Sequence, residues 1–237
     1  MKISTTLFCS LFMLVIQSLS LSAETTHLNE QQKSIIRIAS LTAKGDLETL
    51  KPALNAGLES GLTVNEIKEV LVHLYAYCGF PRSIRGIQTF MEVLEERKAK
   101  GIEDKIGRDA SPIPSDDKYQ RGKKNLEALT KIPQSDQLTG YGAFAPVIDT
   151  FLKEHLFADI FDRDVLTFDQ RQLVTISVLS TIGRAEPMLR SHLNICLNVG
   201  LTPVQLQEFT EVIATTIGQN EATAANAIFN EVLKNQK

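Results

Sequence analysis

Residues 55–63 read Asn-Ala-Gly-Leu-Glu-Ser-Gly-Leu-Thr, and residues 194–202 read Asn-Ile-Cys-Leu-Asn-Val-Gly-Leu-Thr, so the chain repeats itself at an offset of 139 residues. The same offset aligns residues 90–94 with residues 229–233 without a gap. A repeat that recurs in register over such a distance predicts that one structural unit occurs twice in the fold.

Helix start and stop signals stand at matching places in the two copies. Thr63 and Thr202 each precede an apolar helical segment, and Glu66 or Gln205 follows three residues later, which is the capping-box pattern. Gly200, at the end of the preceding apolar run, is typical of a left-handed C-terminal cap. No stretch alternates apolar and polar residues with a two-residue period. The sequence therefore predicts an all-α fold built from duplicated helical hairpins.

The repeat divides the rest of the chain into predicted segments. Residues 28–100 form the first repeat, residues 101–117 form a polar linker with prolines and aspartates, and residues 118–237 form the second repeat. The second repeat begins with two predicted helices, residues 118–130 and 146–161, which the first repeat lacks or has shortened.

Residues 1–23 have the layout of a secretory signal peptide. Lys2 supplies a positive start, residues 7–21 are mainly apolar, and small residues precede position 24. The apolar stretch is shorter than the ~20 residues that a membrane-spanning helix needs. We therefore predict an exported protein, periplasmic or secreted, with no membrane association after cleavage.

Composition excludes some classes of function. The formal net charge is -3 and the pI is about 5.9, and residues 121–124 form the only short basic run, so nucleic-acid binding is not expected. The four histidines are scattered and form no His-x-x-x-His pair, so no metal site is predicted.

His192 is the strongest candidate for chemistry. Ala53 occupies its place in the first copy, so the two copies share a scaffold but not their chemistry. Its neighbours at helical spacing are mostly apolar, so two interpretations stay open: a satisfied core histidine, or a catalytic acid or base. Cys196 lies one turn later and could form a nucleophilic dyad with it, although no third group orients the pair.

Several segments, taken in their order and spacing, resemble the carboxymuconolactone decarboxylase family. They are residues 61–63, 66–70, 77–81, 119–122, 161–174, 190–192 and 200–202. The resemblance covers nearly the whole mature chain and implies a fold of two fused family repeats. Since members of this family assemble single repeats into rings, it also implies a homotrimer with pseudo-sixfold character.

The family has two chemical branches. One decarboxylates γ-carboxymuconolactone, a small dicarboxylated lactone, without a cofactor. The other, the alkyl hydroperoxidase D type, reduces peroxides with a Cys-x-x-Cys pair ahead of a histidine. With His192 placed on that histidine, Ala185 and Met188 stand where the cysteines belong, which argues against that mechanism. Cys78 and Cys196 remain as redox candidates in a non-standard arrangement.

The resemblance favours a catalytic role for His192, which would protonate the carbanion or dienolate left by decarboxylation. Arg184 and Arg190 flank it and are candidates for binding the carboxylates of a small-molecule substrate, with simple solvation as the alternative. Glu186 would orient His192, or would only favour the N-terminus of its helix.

His73 and Tyr77 lie four residues apart on one predicted helix face. They could meet His192 across the repeat interface, or they could serve only in packing. Three functions therefore stay open: a cofactor-free lyase, a hydroperoxide reductase, and a non-catalytic exported binding or scaffold protein. A closed apolar interior around His192 would favour the last of these, whereas a cleft that holds His192 and an arginine would favour the lyase.

Overall fold

The computed structural model describes residues 27–113 and 115–235, so the predicted signal peptide lies outside the described residues. Within these residues the secondary structure is helical, with no strand, which confirms the all-α prediction. The helices are α1 (Glu30–Lys44), α2 (Leu47–Glu59), α3 (Val64–His73), α4 (Tyr75–Ala99), α5 (Lys118–Thr130), α6 (Gly140–Phe144), α7 (Pro146–Thr150), a π-helix (Phe151–Ile160), α8 (Phe168–Ile182), α9 (Glu186–Asn198), α10 (Pro203–Thr216) and α11 (Gln219–Asn235).

Helices α1–α4 and α8–α11 correspond to the two copies of the sequence repeat. Both predicted capping boxes are present, with Thr63 at the start of α3 and Thr202 at the start of α10. The predicted helix of residues 118–130 is confirmed as α5. The segment 146–161 is helical as predicted, but from Phe151 onward it is a π-helix, a form often found near functional sites.

The two copies share one core. Helix α1 packs against α8 and α10, and α3 also contacts α8, so each copy completes the other. A continuous cluster of buried aliphatic and aromatic side chains extends through both copies. Separating the copies would expose this surface to water, so we expect them to fold as one unit.

In each copy, a glutamate binds the segment that precedes the first repeat helix of the other copy. One of these glutamates is buried and the other is half-buried. Glu69 on α3 receives hydrogen bonds from Arg163, which lies just before α8. Glu208 on α10 accepts a 2.7 Å hydrogen bond from the backbone NH of Leu28, just before α1, and also pairs with His27. Glu69 and Glu208 match at the repeat offset, so this packing contact occurs in both copies. His192, by contrast, occurs in only one of them.

Two glycines are needed where backbones turn or approach closely. Gly79 has φ of 82° and ψ of 160° and interrupts α4 at the predicted break before Pro81. Gly122 on α5 lies against the π-helix, and a Cβ atom there would stand 1.7 Å from the backbone oxygen of Lys153. The hairpin of α5 and the π-helix therefore depends on a residue without a side chain at this position.

Residues 101–113, which lie in the segment predicted as a linker, follow the surface of the first copy. The backbone NH of Val64 donates to the oxygen of Lys105, and that of Asn65 donates to Ile106, each at 2.9 Å. In the described part of the chain, no helix is long and apolar enough to cross a membrane.

Candidate active site

The structure brings His73, Tyr77 and His192 together where the two copies meet. His73 ends α3 and Tyr77 lies in the first turn of α4, whereas His192 lies on α9 of the second copy. The ring centroids of Tyr77 and His192 are 5.8 Å apart in an edge-to-face arrangement, and those of His73 and Tyr77 are 5.5 Å apart. Helix α8 completes the cluster with Arg171 and Gln172, both fully buried.

His73 is held neutral and in one orientation. Its Nδ1 accepts a 3.1 Å hydrogen bond from Arg171, so its Nε2 carries the proton and donates at 2.9 Å to the Thr175 hydroxyl. That hydroxyl in turn donates to the backbone oxygen of Arg171 at 3.0 Å. Burial, with the nearby Arg171 charge, lowers the pKa of His73 well below its ordinary value. Because both ring nitrogens are engaged, His73 is suited to position its neighbours.

Arg171 gives the cluster an excess of positive charge. It donates to Glu69 at 3.0 Å and to the backbone oxygen of Arg163, whose own guanidinium pairs with the same carboxylate at 2.9 Å. Burial lowers the pKa of Arg171, while the Glu69 carboxylate opposes this effect and favours the charged form. Two guanidinium groups share one carboxylate, so the set keeps a net charge of about +1 at neutral pH. Such positively charged surroundings favour the binding of an anion.

His192 has one nitrogen fixed and the other available. In the orientation that the Gln172 amide has in the structure, the Nδ1–H group of His192 donates to the Oε1 atom of Gln172 at 2.8 Å. Among the described residues no hydrogen bond engages Nε2. Removal from solvent lowers the pKa of His192 to about 4, and the residue as a whole is half-buried. His192 is therefore a neutral imidazole with a free Nε2 lone pair at neutral pH.

Replacing Gln172 with glutamate should raise the pKa of His192 by about 1–3 pH units, because a carboxylate beside Nδ1 stabilises the imidazolium form. The pKa can be measured by NMR titration of the histidine ring carbons. Gln170→Glu is the matched control, since Gln170 lies on the same helix but bonds to the backbone of Thr167. A His192 pKa that stays the same in Gln172→Glu would show that the two side chains are not paired in solution.

The hydroxyl of Tyr77 lies beside Thr175 but makes no hydrogen bond of acceptable geometry. Burial raises the pKa of Tyr77 to about 12, so the phenol keeps its proton at neutral pH. Tyr77 is therefore a donor in contact with both histidines.

An aromatic wall closes one side of the cluster. The ring of Phe161 lies edge-on to His73, with 5.3 Å between centroids, and belongs to a smaller apolar cluster beneath the hairpin of α5 and the π-helix. Phe161 also lines an open cleft of ≈ 690 Å³ together with Phe168 and Val199. The lining of this cleft includes neither histidine, so Phe161 separates the cleft from His73.

Other residues predicted for the site lie elsewhere. Arg184 and Glu186 are exposed at the start of α9. Arg190 pairs with Glu231 on α11. Among the described residues, no hydrogen bond or ion pair joins these three side chains to His192. The arginine that does lie in the cluster is Arg171.

The two described cysteines have free thiols. Cys78 is half-buried and donates to the backbone oxygen of Leu74 at 3.3 Å, and burial raises its pKa to about 11. Cys196 is fully buried, and burial raises its pKa further. Neither environment favours a thiolate, the form that attacks peroxides. Within residues 27–113 and 115–235, no group of three or more His, Cys, Asp or Glu side chains could hold a metal ion.

Sequence reasoning missed Glu69, Arg171, Gln172 and Thr175 as members of the histidine cluster. A signal for them exists. Glu69 precedes His73 by four residues, and Arg171 precedes Thr175 by four, so each pair shares one helix face. Arg171 and Gln172 are also strongly polar residues at the start of the apolar helix α8. Polar groups in such a segment require partners. Arg171 finds His73 and Glu69 in the first copy, whereas Gln172 pairs with His192 in its own copy.

Comparison with known proteins agrees with the duplicated architecture. The model of the carboxymuconolactone decarboxylase family matches the chain twice, at residues 17–90 and 146–231. A 4-carboxymuconolactone decarboxylase of Acinetobacter baylyi is 31% identical over 119 residues, which are 48% of this chain and 88% of that enzyme. An uncharacterised protein of Methanocaldococcus jannaschii, MJ1511, is 29% identical over 66 residues, 28% of this chain and 62% of that protein.

The Acinetobacter relative therefore has about the length of one repeat, whereas the present chain contains two. The two family matches together cover more than half of the chain. The chain belongs to the carboxymuconolactone decarboxylase family.

Proposed function

We propose that this protein is a cofactor-free carboxy-lyase that acts on a small carboxylated lactone or a related acid, with His192 as the acid/base. The observation that carries the proposal is the state of His192: a neutral imidazole, fixed at Nδ1 by Gln172 and free at Nε2, beside a cluster of net positive charge. The likeness to a 4-carboxymuconolactone decarboxylase supports the same chemistry.

The proposed reaction replaces a carboxylate on the substrate with a proton. A bound dicarboxylate raises the pKa of His192, because negative charge nearby stabilises the imidazolium, and Nε2 takes a proton from solvent. Cleavage of the carbon–carbon bond releases CO₂ and leaves its electron pair on the substrate as a dienolate. The Nε2–H group then protonates carbon, which returns His192 to the neutral form.

The alternatives have less support. A hydroperoxide reductase needs an accessible thiolate, but Cys196 is buried and burial raises the pKa of both described cysteines. A non-catalytic scaffold would more simply place apolar side chains at the junction of the copies. Here the junction holds two histidines and a buried arginine instead.

The test of this function is the disappearance of γ-carboxymuconolactone, with release of CO₂, on incubation with the purified chain. An alkyl hydroperoxide assay with a thiol reductant runs in parallel. Decarboxylation without peroxide reduction supports the lyase. Peroxide reduction alone would replace it with the thiol mechanism, and inactivity in both assays would exclude this substrate.

We also propose that the chain assembles as a homotrimer with pseudo-sixfold character. Support comes from apolar side chains that α6, α7 and the π-helix leave exposed, foremost Phe144 at 93% exposure, with Tyr141, Val147 and Phe151. A group of this kind is unusual on a monomer surface. Light scattering should give three times the mass of a single chain, and Phe144→Ser should shift the assembly toward smaller species. A monomer at about 50 μM, well above the Kd of a stable interface, would contradict the proposal.

A further inference from the structure

Three buried hydrogen-bond donors in the histidine cluster make no well-aligned hydrogen bond to the described residues. They are the Nε of Arg171, the Nε2 of Gln172 and the hydroxyl of Tyr77. Arg171 and Gln172 are fully buried. A buried polar group without a hydrogen bond costs about 1–3 kcal/mol, so three of them in one cluster are not explained by folding alone.

The three side chains belong to one set of contacts. Arg171 hydrogen-bonds to His73, whose ring contacts the ring of Tyr77. The ring of Tyr77 also contacts that of His192, which hydrogen-bonds to Gln172. Each of the unpartnered atoms offers a hydrogen: one from a guanidinium, one from an amide and one from a phenol. A ligand that satisfies them must therefore present acceptors.

We propose that Arg171, Gln172 and Tyr77 form a carboxylate-binding subsite next to His192. Arginine favours carboxylates through both charge and geometry, and the surrounding groups already carry an excess of one positive charge. A carboxylate also supplies up to four acceptor positions, enough for all three donors. This inference deepens the proposed function, because it names the group by which a dicarboxylated substrate is held while its other carboxylate leaves.

The experiment uses maleate, a small dicarboxylate, and does not depend on turnover. Calorimetry gives its Kd for the whole protein, and the NMR signals of the histidine rings locate the binding. Maleate should shift the signals of His192 and His73 and leave those of the exposed His155 unchanged. Acetamide, which resembles acetate in shape but has no charge, should not bind.

Tyr77→Phe removes one donor and keeps the ring that packs on both histidines, so the fold should persist. We expect the Kd of maleate to rise at least about tenfold, as for the loss of a hydrogen bond to a charged group. Tyr75→Phe is the matched control, two residues earlier on the same helix, with its ring stacked on Phe80. The Kd of maleate for Tyr75→Phe should stay within about twofold of the wild-type value, a smaller change than the loss of a hydrogen bond to a charged group produces.

Arg171→Lys gives a second, independent reading, because it keeps the charge but loses the Nε donor and the planar geometry. Weaker maleate binding by the Tyr77→Phe and Arg171→Lys variants supports the subsite, provided that the Tyr75→Phe variant binds maleate as the wild type does. This holds even if the lactone is not decarboxylated. Absence of maleate binding, or equal binding by Tyr77→Phe and the wild type, overturns the subsite even if the enzyme is an active lyase.

Discussion

Replacing His192 with alanine is expected to lower the kcat for decarboxylation of γ-carboxymuconolactone by about 10²–10⁴, the usual contribution of a positioned acid or base. The reason is the environment of the ring: Gln172 fixes Nδ1, and Nε2 remains free to carry the proton that replaces the departing carboxylate. The KM should change less than the kcat, because Arg171 and Tyr77 stay in place. Steady-state kinetics of the two purified proteins measure both quantities.

Two further variants separate acid/base chemistry from packing. His192→Gln keeps a polar side chain that can bond to Gln172 but cannot exchange a proton at neutral pH, so it should be as inactive as the alanine variant. His155→Ala changes an exposed histidine on the π-helix and should keep the wild-type rate. Full activity in His192→Gln would mean that His192 only supports the structure.

The fold was largely predictable because its signals are local. Capping boxes at Thr63 and Thr202 and the break at Gly79 each act within a few residues of the chain. The π-helix after Phe151 was not predictable in the same way. Its hydrogen-bond pattern depends on how the segment packs against α5, where Gly122 allows close approach, and helical periodicity in the sequence carries no such information.

The site was predictable only in part. His192, His73 and Tyr77 were identified from their residue types and spacing, and the structure brings them together. The choice of arginine was harder. Arg190 is nearer to His192 in sequence, but it pairs with Glu231 on α11. Arg171 of the second copy instead binds His73 of the first copy, across the interface between the copies. Contacts of this kind depend on how the copies dock, which no single segment encodes.

Replacing Glu69 with alanine should destabilise the protein by about 3–5 kcal/mol, because it leaves a fully buried guanidinium without its carboxylate. Arg171 has no exposed side-chain surface, and Glu69 bonds to it at 3.0 Å. The cost of an uncompensated buried charge exceeds that of a lost surface ion pair. Urea unfolding followed by far-ultraviolet circular dichroism measures the change, since the chain has no tryptophan to serve as a fluorescent reporter.

The repeat supplies the control. Glu208 occupies the place of Glu69 in the second copy, but its partners are the backbone NH of Leu28 and the exposed His27, with no buried arginine. Glu208→Ala should therefore cost only about 1–2 kcal/mol. Equal losses in the two variants would contradict the argument. If Glu69→Ala does not fold, Glu69→Leu combined with Arg171→Met should restore folding, because replacing both members of a buried ion pair with apolar residues removes the unpaired charge.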